Sequence, residues 1–321
     1  MPVQSAIAQI GSAKQASKGT LGTITYGHGV LDGQVLTVDV QQELEDRTSA
    51  SRVSPSVNRT AVMCGADFSS RVHAASAGMW IFGALGSIAT TGTTTKTHVI
   101  TVGADLPYLS VFGKLESSLY SVRDFKVGDL GLSWSGNEPL EMSVSGMGTV
   151  VGYPASFSPT TDDTVAAYMR PAGGVFQLDV DSATPVTASV VSGEVSVANN
   201  LSEILLSGTI TADDIMVGRT EVECSFDIIP DNLLDFRTIV TGSSGGTTAS
   251  PTTVFGSFSC QFTDGTYTLT LASSRVAFTC DFPSAEAGGG PVTLSLAGLC
   301  VQPAAGGTPI TMTLLNTVTS Y

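Results

Sequence analysis

Few residues in this chain are of types that carry chemistry, and their spacing points away from a reaction centre. The three histidines, His28, His73 and His98, show neither HxH nor HxxxH spacing, so no pair is separated as a metal site on one strand or helix requires. Each reads as a surface or turn residue. The five cysteines, Cys64, Cys224, Cys260, Cys280 and Cys300, contain no CxxC, and an odd number cannot close into a complete disulfide set. They read as reduced structural thiols. Gly242–Gly246 has the form GxSxG, but a nucleophile elbow needs a strand before it and a helix after it. Here the segment follows a predicted helix and runs into a Ser/Thr-rich stretch. Gly146, Gly148 and Gly152 miss GxGxxG by one residue, and no helix follows. The acid pairs Asp162–Asp163 and Asp213–Asp214 fall in loops, without a framework to drive their pKa values apart. The expectation is a non-enzymatic chain with no catalytic site, metal or cofactor. Asn58-Arg59-Thr60 and Asn200-Leu201-Ser202 have the form of glycosylation sequons, which matter only in a secreted protein.

The elements around these residues are strands. Period-2 alternation runs through Gln34–Val40, Glu194–Ala198, Tyr267–Leu271 and Val292–Leu296, each placing apolar side chains on one face. Abundant Thr and Val suit a pleated, half-buried surface. Gly- and Ser-rich breaks such as Thr91–Thr95 and Gly242–Thr248 separate the strands. Two segments read as helix, Ala74–Ile88 and Pro230–Val240. In the second, Pro230 and Asp231 occupy positions suited to a helix start.

Composition narrows the class. Apolar residues make up 42% of the 321 residues, enough for packed domains, yet charged residues are only 13%, about half the usual share. Sparse charge leaves a surface that suits contact with other subunits. Of the net charge of −14, residues 1–156 carry 12 acids and 10 bases, and residues 157–321 carry 16 acids and 4 bases. Duplex binding relies on Lys and Arg against phosphate, so so acidic a second half predicts no tight DNA binding. The first twenty residues lack the apolar core of a signal peptide, and no run reaches the ~18 apolar residues of a membrane helix.

An internal duplication organises the chain. In each half a strand (Val38–Val40; Val195–Val197) leads into a polar loop (43–60; 199–214), then a strand ending near Phe68 or Phe226, then the helix and a Gly-rich turn. Phe82 and Val240 are matched within the two helices. Both halves close with Pro, an alternating strand, Ser-x-x-Gly (Ser143–Gly146; Ser295–Gly298) and an apolar strand ending in Pro154 or Pro303.

These segments, in this order, resemble the tail tube proteins (major tail proteins) of long-tailed, siphovirus-type bacteriophages, in the version with two tube domains. The resemblance rests on Ile10–Thr20, the long loop after the first strand, the helix Ala77–Ser87, Thr97–Val102 after a Thr-rich turn, and Phe125–Gly148. It covers the first half directly and the second through the duplication. It implies an all-β fold of two tandem β-sandwich or partial-barrel domains, each with one flanking helix. Their sheets would continue between subunits into a barrel lining a channel. The implied division is an N-terminal arm (1–20), tube domain 1 (21–156; loop 43–60, helix 74–88), tube domain 2 (157–303; loop 199–214, helix 230–240) and a C-terminal segment (304–321) with no assigned place. Two-domain members form trimeric rings with six-fold pseudo-symmetry.

The function this implies is structural: rings of the virion, assembled in the host cytoplasm, stack into a conduit for genome ejection. Its partners would be further copies of itself, a tape-measure protein, and tail terminator and distal tail proteins, with DNA passing without specific binding. The alternatives are another virion β protein (capsid decoration or distal tail component) or a carbohydrate-binding or adhesive β module. The aromatics, only 7% and scattered, do not favour the latter. Ring-to-ring contacts are expected from the two loops, with candidates Glu43, Glu45, Asp46, Arg47, Arg52, Arg59, Asn199, Asn200, Asp213 and Asp214. Channel-lining candidates are the strand acids Asp39, Glu141, Glu194 and Glu223, whose charge would repel passing phosphates. Strands poor in Lys and Arg leave sheet edges open to pairing, and head-to-tail pairing that closes makes a ring.

Overall fold

The protein is described from a computed structural model covering residues 8–44, 56–164, 166–172, 176–180, 186–187, 189–230, 233–243, 245–282, 291–303 and 306–321. Its first part runs β1 (Ala8–Lys14), β2 (Tyr26–Gly29), β3 (Asp32–Leu44), β4 (Val57–Arg71), α1 (Ala77–Leu85), β5 (Gly86–Thr91), β6 (Lys96–Val102), β7 (Leu109–Leu115), β8 (Ser118–Ser135), β9 (Glu141–Gly148) and β10 (Val150–Gly152). The second runs β11 (Thr161–Asp162), β12 (Arg170–Pro171), β13 (Gln177–Asp179), β14 (Val186–Thr187), β15 (Ser189–Ala198), β16 (Ser202–Ile204), β17 (Asp214–Met216), β18 (Glu221–Ile229), α2 (Leu234–Thr241), β19 (Phe255–Thr263), β20 (Thr268–Cys280), β21 (Leu294–Cys300) and β22 (Thr311–Asn316). The fold is all-β with these two helices among the described residues.

The alternation seen in the sequence is the alternation of burial. Along β18, Val222, Cys224, Phe226 and Ile228 are buried while Glu221, Glu223 and Ser225 are exposed. Along β21, Leu294, Leu296, Gly298 and Cys300 face the core. One antiparallel sheet runs β3–β4–β9–β8–β15–β18–β21–β20 and crosses both halves of the chain. β8 is long enough to serve two sheets: its later residues join this one, and Ser118–Phe125 join β2–β1–β7–β8–β10. β20 does the same, with β14–β13–β19–β20–β22 on its earlier residues and β6 and β5 added beyond β22.

The strand pairing of the first half therefore recurs in the second. β3, β4, β9 and β8 correspond to β15, β18, β21 and β20, with β7 to β19 and β10 to β22. Register agrees at the marker residues, with a bulge in β3 that β15 lacks there. Phe68 lies between Gly33 and Val144, and Phe226 lies between Gly193 and Leu296. The glycines of the two Ser-x-x-Gly motifs pair two residues earlier, Gly146 with Ala66 and Gly298 with Cys224.

Two sequence matches shift. Both helices end on a left-handed glycine whose N–H bonds back four residues, Gly86 to Phe82 and Gly242 to Thr238. Phe82 thus corresponds to Thr238 rather than to Val240. The strand after the second Ser-x-x-Gly is not the counterpart of β10; that place is taken by β22, within the segment 304–321 that the sequence left without a place.

α1 is apolar all round and buried at every residue. It is shorter than the predicted 74–88 because Gly86 turns the chain into β5. α2 begins at Leu234, so Pro230 precedes its first turn instead of opening it, and Thr238 is its buried residue. Beneath α1, Trp80 meets Phe68 and Phe125 edge-on, at 5.1 and 6.4 Å between ring centroids. Tyr321 packs where Gly78 leaves room, since a methyl there would collide with its ring, and its hydroxyl donates to Ala75 O at 2.7 Å.

The histidines are not surface residues; all three are buried. His28 accepts the Trp80 indole N–H on Nε2 at 2.9 Å, and its Nδ1 lies 3.1 Å from Gly29 O. His98 sits between Thr90 and Asn316. His73 Nδ1 lies 3.1 Å from Ala167 O. His28 and His98 thus have partners on both ring nitrogens, and His73 on Nδ1.

Candidate channel face and loop contacts

One face of the eight-stranded sheet packs on the core, and the other carries polar side chains in cross-strand rows. The first row reads Arg71, Glu141, Ser133, Glu194, Ser225, Ala297, Thr279. The second reads Ser69, Ser143, Gly131, Ser196, Glu223, Leu299, Ala277, and the third Asp67, Ser145, Asp129, Ala198, Glu221. Asp39, opposite Met63, lies on the same face. All four candidate lining acids thus share one surface, and Asp67, Asp129 and Glu221 join them. The alternation in Glu221–Ile229 and Asp129–Ser135 places Glu221 and Asp129 by the rule that found the others, whereas Asp67 in β4 lies outside those runs. Arg71 is the single base in the rows, and its guanidinium lies over the Tyr168 ring.

Serines hold some of these carboxylates. Ser192 and Ser295 donate to Asp227 at 2.7 and 2.6 Å and keep its pKa below the usual carboxylate range. Ser145 donates to Asp129 at 2.9 Å. Glu203 on β16 is pushed up by burial and then by the negative charge of Asp39. The hairpin after β15 therefore reaches the β3 border of the face.

That hairpin is more ordered than a polar loop. β16 and β17 pair, and the Val62 N–H donates to Ile210 O at 2.6 Å, tying the segment to β4. Among the expected ring-contact residues, Glu45, Asp46, Arg47 and Arg52 lie outside the described residues. Glu43 and Arg59 are exposed near the facing ends of β3 and β4, which extend the two strands into the predicted loop 43–60. Asn199 is buried. Its amide donates to Ala84 O at 2.9 Å and Val127 O at 3.0 Å, and its carbonyl accepts from Thr220. Its side chain thus closes the α1 end inside the subunit. Asn200 is exposed in a left-handed conformation, φ +48, and donates to Arg219 O.

Asp213, exposed, and Asp214, half-buried, meet partners of the same chain. Lys18 reaches Asp213 at 3.4 Å and Asp214 at 3.1 Å, and the Tyr108 hydroxyl donates to Asp214 at 3.0 Å. Partial burial works to raise the Asp214 pKa, but hydrogen bonds from the Ile215 N–H, Lys18 and Tyr108 leave it lowered. A carboxylate with a depressed folded pKa stabilises the fold above its ordinary range and loses that contribution as pH falls through the folded value. Asp214→Asn should accordingly cost about 1 kcal/mol, because Lys18 is exposed and solvent screens the pair. It should also speed hydrogen exchange at the Val62 amide. Unchanged exchange there would show that the Lys18 contact does not hold the hairpin.

Among the described residues, no group of three His, Cys, Asp or Glu is placed to hold a metal ion. The described cysteines are free thiols; burial raises the pKa values of Cys64 and Cys260. Long antiparallel sheets, one face buried and the other lined with hydroxyls and carboxylates, make this an all-β protein. The chain belongs to the phage tail tube protein family, whose profile matches residues 5–319. No curated protein matches it. It is a structural component of a phage tail, a virion protein of a bacteriophage.

Proposed function

We propose that copies of this chain join edge to edge into closed rings, and that stacked rings form the conduit through which the genome leaves the virion. The carboxylate face of the eight-stranded sheet is turned to the channel. The observation that carries this reading is that sheet: it spans both halves, buries one face, and displays Glu141, Glu194, Glu223, Asp67, Asp129 and Glu221 on the other. Clustered negative charge repels phosphate and keeps passing DNA from adhering.

The repeated pairing order supports two tube domains divided near residue 156, the second running past 303 to include β22, and hence three chains to a ring with six-fold pseudo-symmetry. Stacking contacts come from the 43–60 loop, Asn200 and the exposed side of Asp213, together with the exposed residues 16–20 that follow β1 in the arm. The partners are the tape-measure protein that fills the growing tube and the terminator and distal tail proteins at its ends. Assembly takes place in the host cytoplasm, the tail is of the siphovirus type, and the chain performs no catalysis.

Electron microscopy of the purified protein tests this. Tubes of uniform width with an axial channel and three chains per ring are expected; discrete particles, or decoration of other surfaces, would refute it. A phage carrying Glu141→Gln, Glu194→Gln and Glu223→Gln should build tubes of normal width and eject DNA more slowly. Ejection at the parental rate would remove the channel role from these acids.

A further inference from the structure

The join between the two halves is a template for the join between two copies. In the chain, β15 lies on the free edge of β8 just where β7 ends, pairing Leu130 with Val197, Leu132 with Val195 and Asp129 with Ala198. By the internal repeat, β3 stands where β15 stands, and β20 stands where β8 stands. β19 leaves β20 after Ala277, as β7 leaves β8, so Phe278–Cys280 has no strand on that edge among the described residues. Among the described residues β3 is likewise paired along one edge, with β4.

Burial marks the same two edges. Val197 is 1% exposed, but its counterpart Val38 is 49% exposed; Leu132 is 0% exposed, but its counterpart Phe282 is 71% exposed. Asn199 and Ala84 are buried where they meet at the end of α1, whereas their counterparts Val40 and Val240 are both exposed. Four positions that are covered at the internal join are thus open, and apolar, at the outer edges. An apolar surface left open in this pattern fits a second copy of the same chain.

We infer that β3 of one copy adds to β20 of the next in the register of the internal join. Asp39 then lies opposite Thr279 and Val38 opposite Cys280, with Val40 against Val240 at the end of α2 and Phe282 against the Val35–Leu36 bulge of β3. The inference rests on the ring reading above and specifies which edges meet and how. It makes the two kinds of join, within and between chains, alternate around the ring with like geometry, which is the physical content of pseudo-symmetry.

Cysteine pairing tests the register. Directly opposite residues of antiparallel strands have Cα atoms about 4.5–5.5 Å apart, within disulfide range. Asp39→Cys with Thr279→Cys, in a Cys280→Ser background, is expected to give covalent oligomers under mild oxidation of assembled tubes, with the ladder ending at the number of copies in a ring. Gln41→Cys with Thr279→Cys, one step off on the same face, should cross-link several-fold less. Stronger linking by the Gln41 pair would overturn the register. Tubes that form normally while neither pair cross-links would overturn the choice of edges and leave the ring reading standing. Failure of the unmodified chain to form tubes would refute both.

Discussion

Replacing Trp80 by alanine is expected to lower the unfolding free energy by about 3–5 kcal/mol, the cost of emptying a large aromatic site in a packed core. Trp80 is fully buried and is ringed by His28, Phe68 and Phe125, so the space it leaves has rigid aromatic walls that collapse poorly. The substitution also takes away the indole N–H that His28 Nε2 accepts, and a buried polar atom without a partner costs about 1–3 kcal/mol more. Trp80→Phe keeps most of the apolar area and should show mainly that second cost. The repeat supplies a control. Phe236 stands six residues before the capping Gly242, as Trp80 stands six before Gly86, but it is half-buried and its aromatic neighbour Phe282 is exposed. Phe236→Ala should therefore cost well under 2 kcal/mol in the dispersed subunit, since area already in water contributes nothing on unfolding. Urea unfolding of the three variants measures this. Equal losses at Trp80 and Phe236 would contradict the unequal burial of the two helices.

Much of this architecture was legible because it is local. Alternation in Glu194–Ala198 and Val292–Leu296 marks strands with one buried face, and β15 and β21 contain them. The apolar run around Trp80 has no polar side, which suits a helix enclosed by other elements, and α1 is enclosed. Ser143–Gly146 and Ser295–Gly298 marked equivalent strands, and their pairing partners agree. What could not be read is non-local. Nothing in Ser118–Ser135 announces that one strand serves two sheets, because the change of partner is set by where β7 stops and β15 begins. β22 reaches β6 across more than two hundred residues, and no local pattern encodes a distant partner. The histidines were misplaced for a related reason: residue type suggests the surface, but Trp80, Gly29 and Asn316 supply the hydrogen bonds that make burial tolerable. The candidate acids fall between these cases. Alternation put Asp39, Glu141, Glu194 and Glu223 on polar faces, while only the joining of the halves makes those faces one. Asn199 reads as a polar loop residue, yet its amide is what α1 and β8 need at the join.

Acidification from pH 6.5 to 4 is expected to destabilise the subunit by about 3 kcal/mol through His28 alone, at about 1.4 kcal/mol per pH unit. Burial lowers the His28 pKa from 6.5 to about 4; its hydrogen bond to Gly29 O opposes the shift slightly, as does the charge of Asp162, while His73 adds to it. The sign follows from proton uptake. The folded state keeps His28 neutral down to about pH 4, but the unfolded chain takes up a proton near 6.5, so protons favour unfolding between those values. The stabilisation is complete above pH 6.5, declines as pH falls, and is gone below the folded pKa. His98, also lowered by burial, contributes in the same direction. The depressed carboxylates Asp214 and Asp227 add their losses only at lower pH, as the solution passes through their folded values below the ordinary carboxylate range. The acid profile should consequently have two stages, a histidine slope and then a carboxylate slope. Unfolding free energies at pH 7, 5.5 and 4.5 measure the first, and His28→Gln should be less stable at pH 7 but show a shallower decline. A proton NMR titration giving His28 an ordinary folded pKa near 6.5 would contradict its burial against Trp80 and remove the first stage.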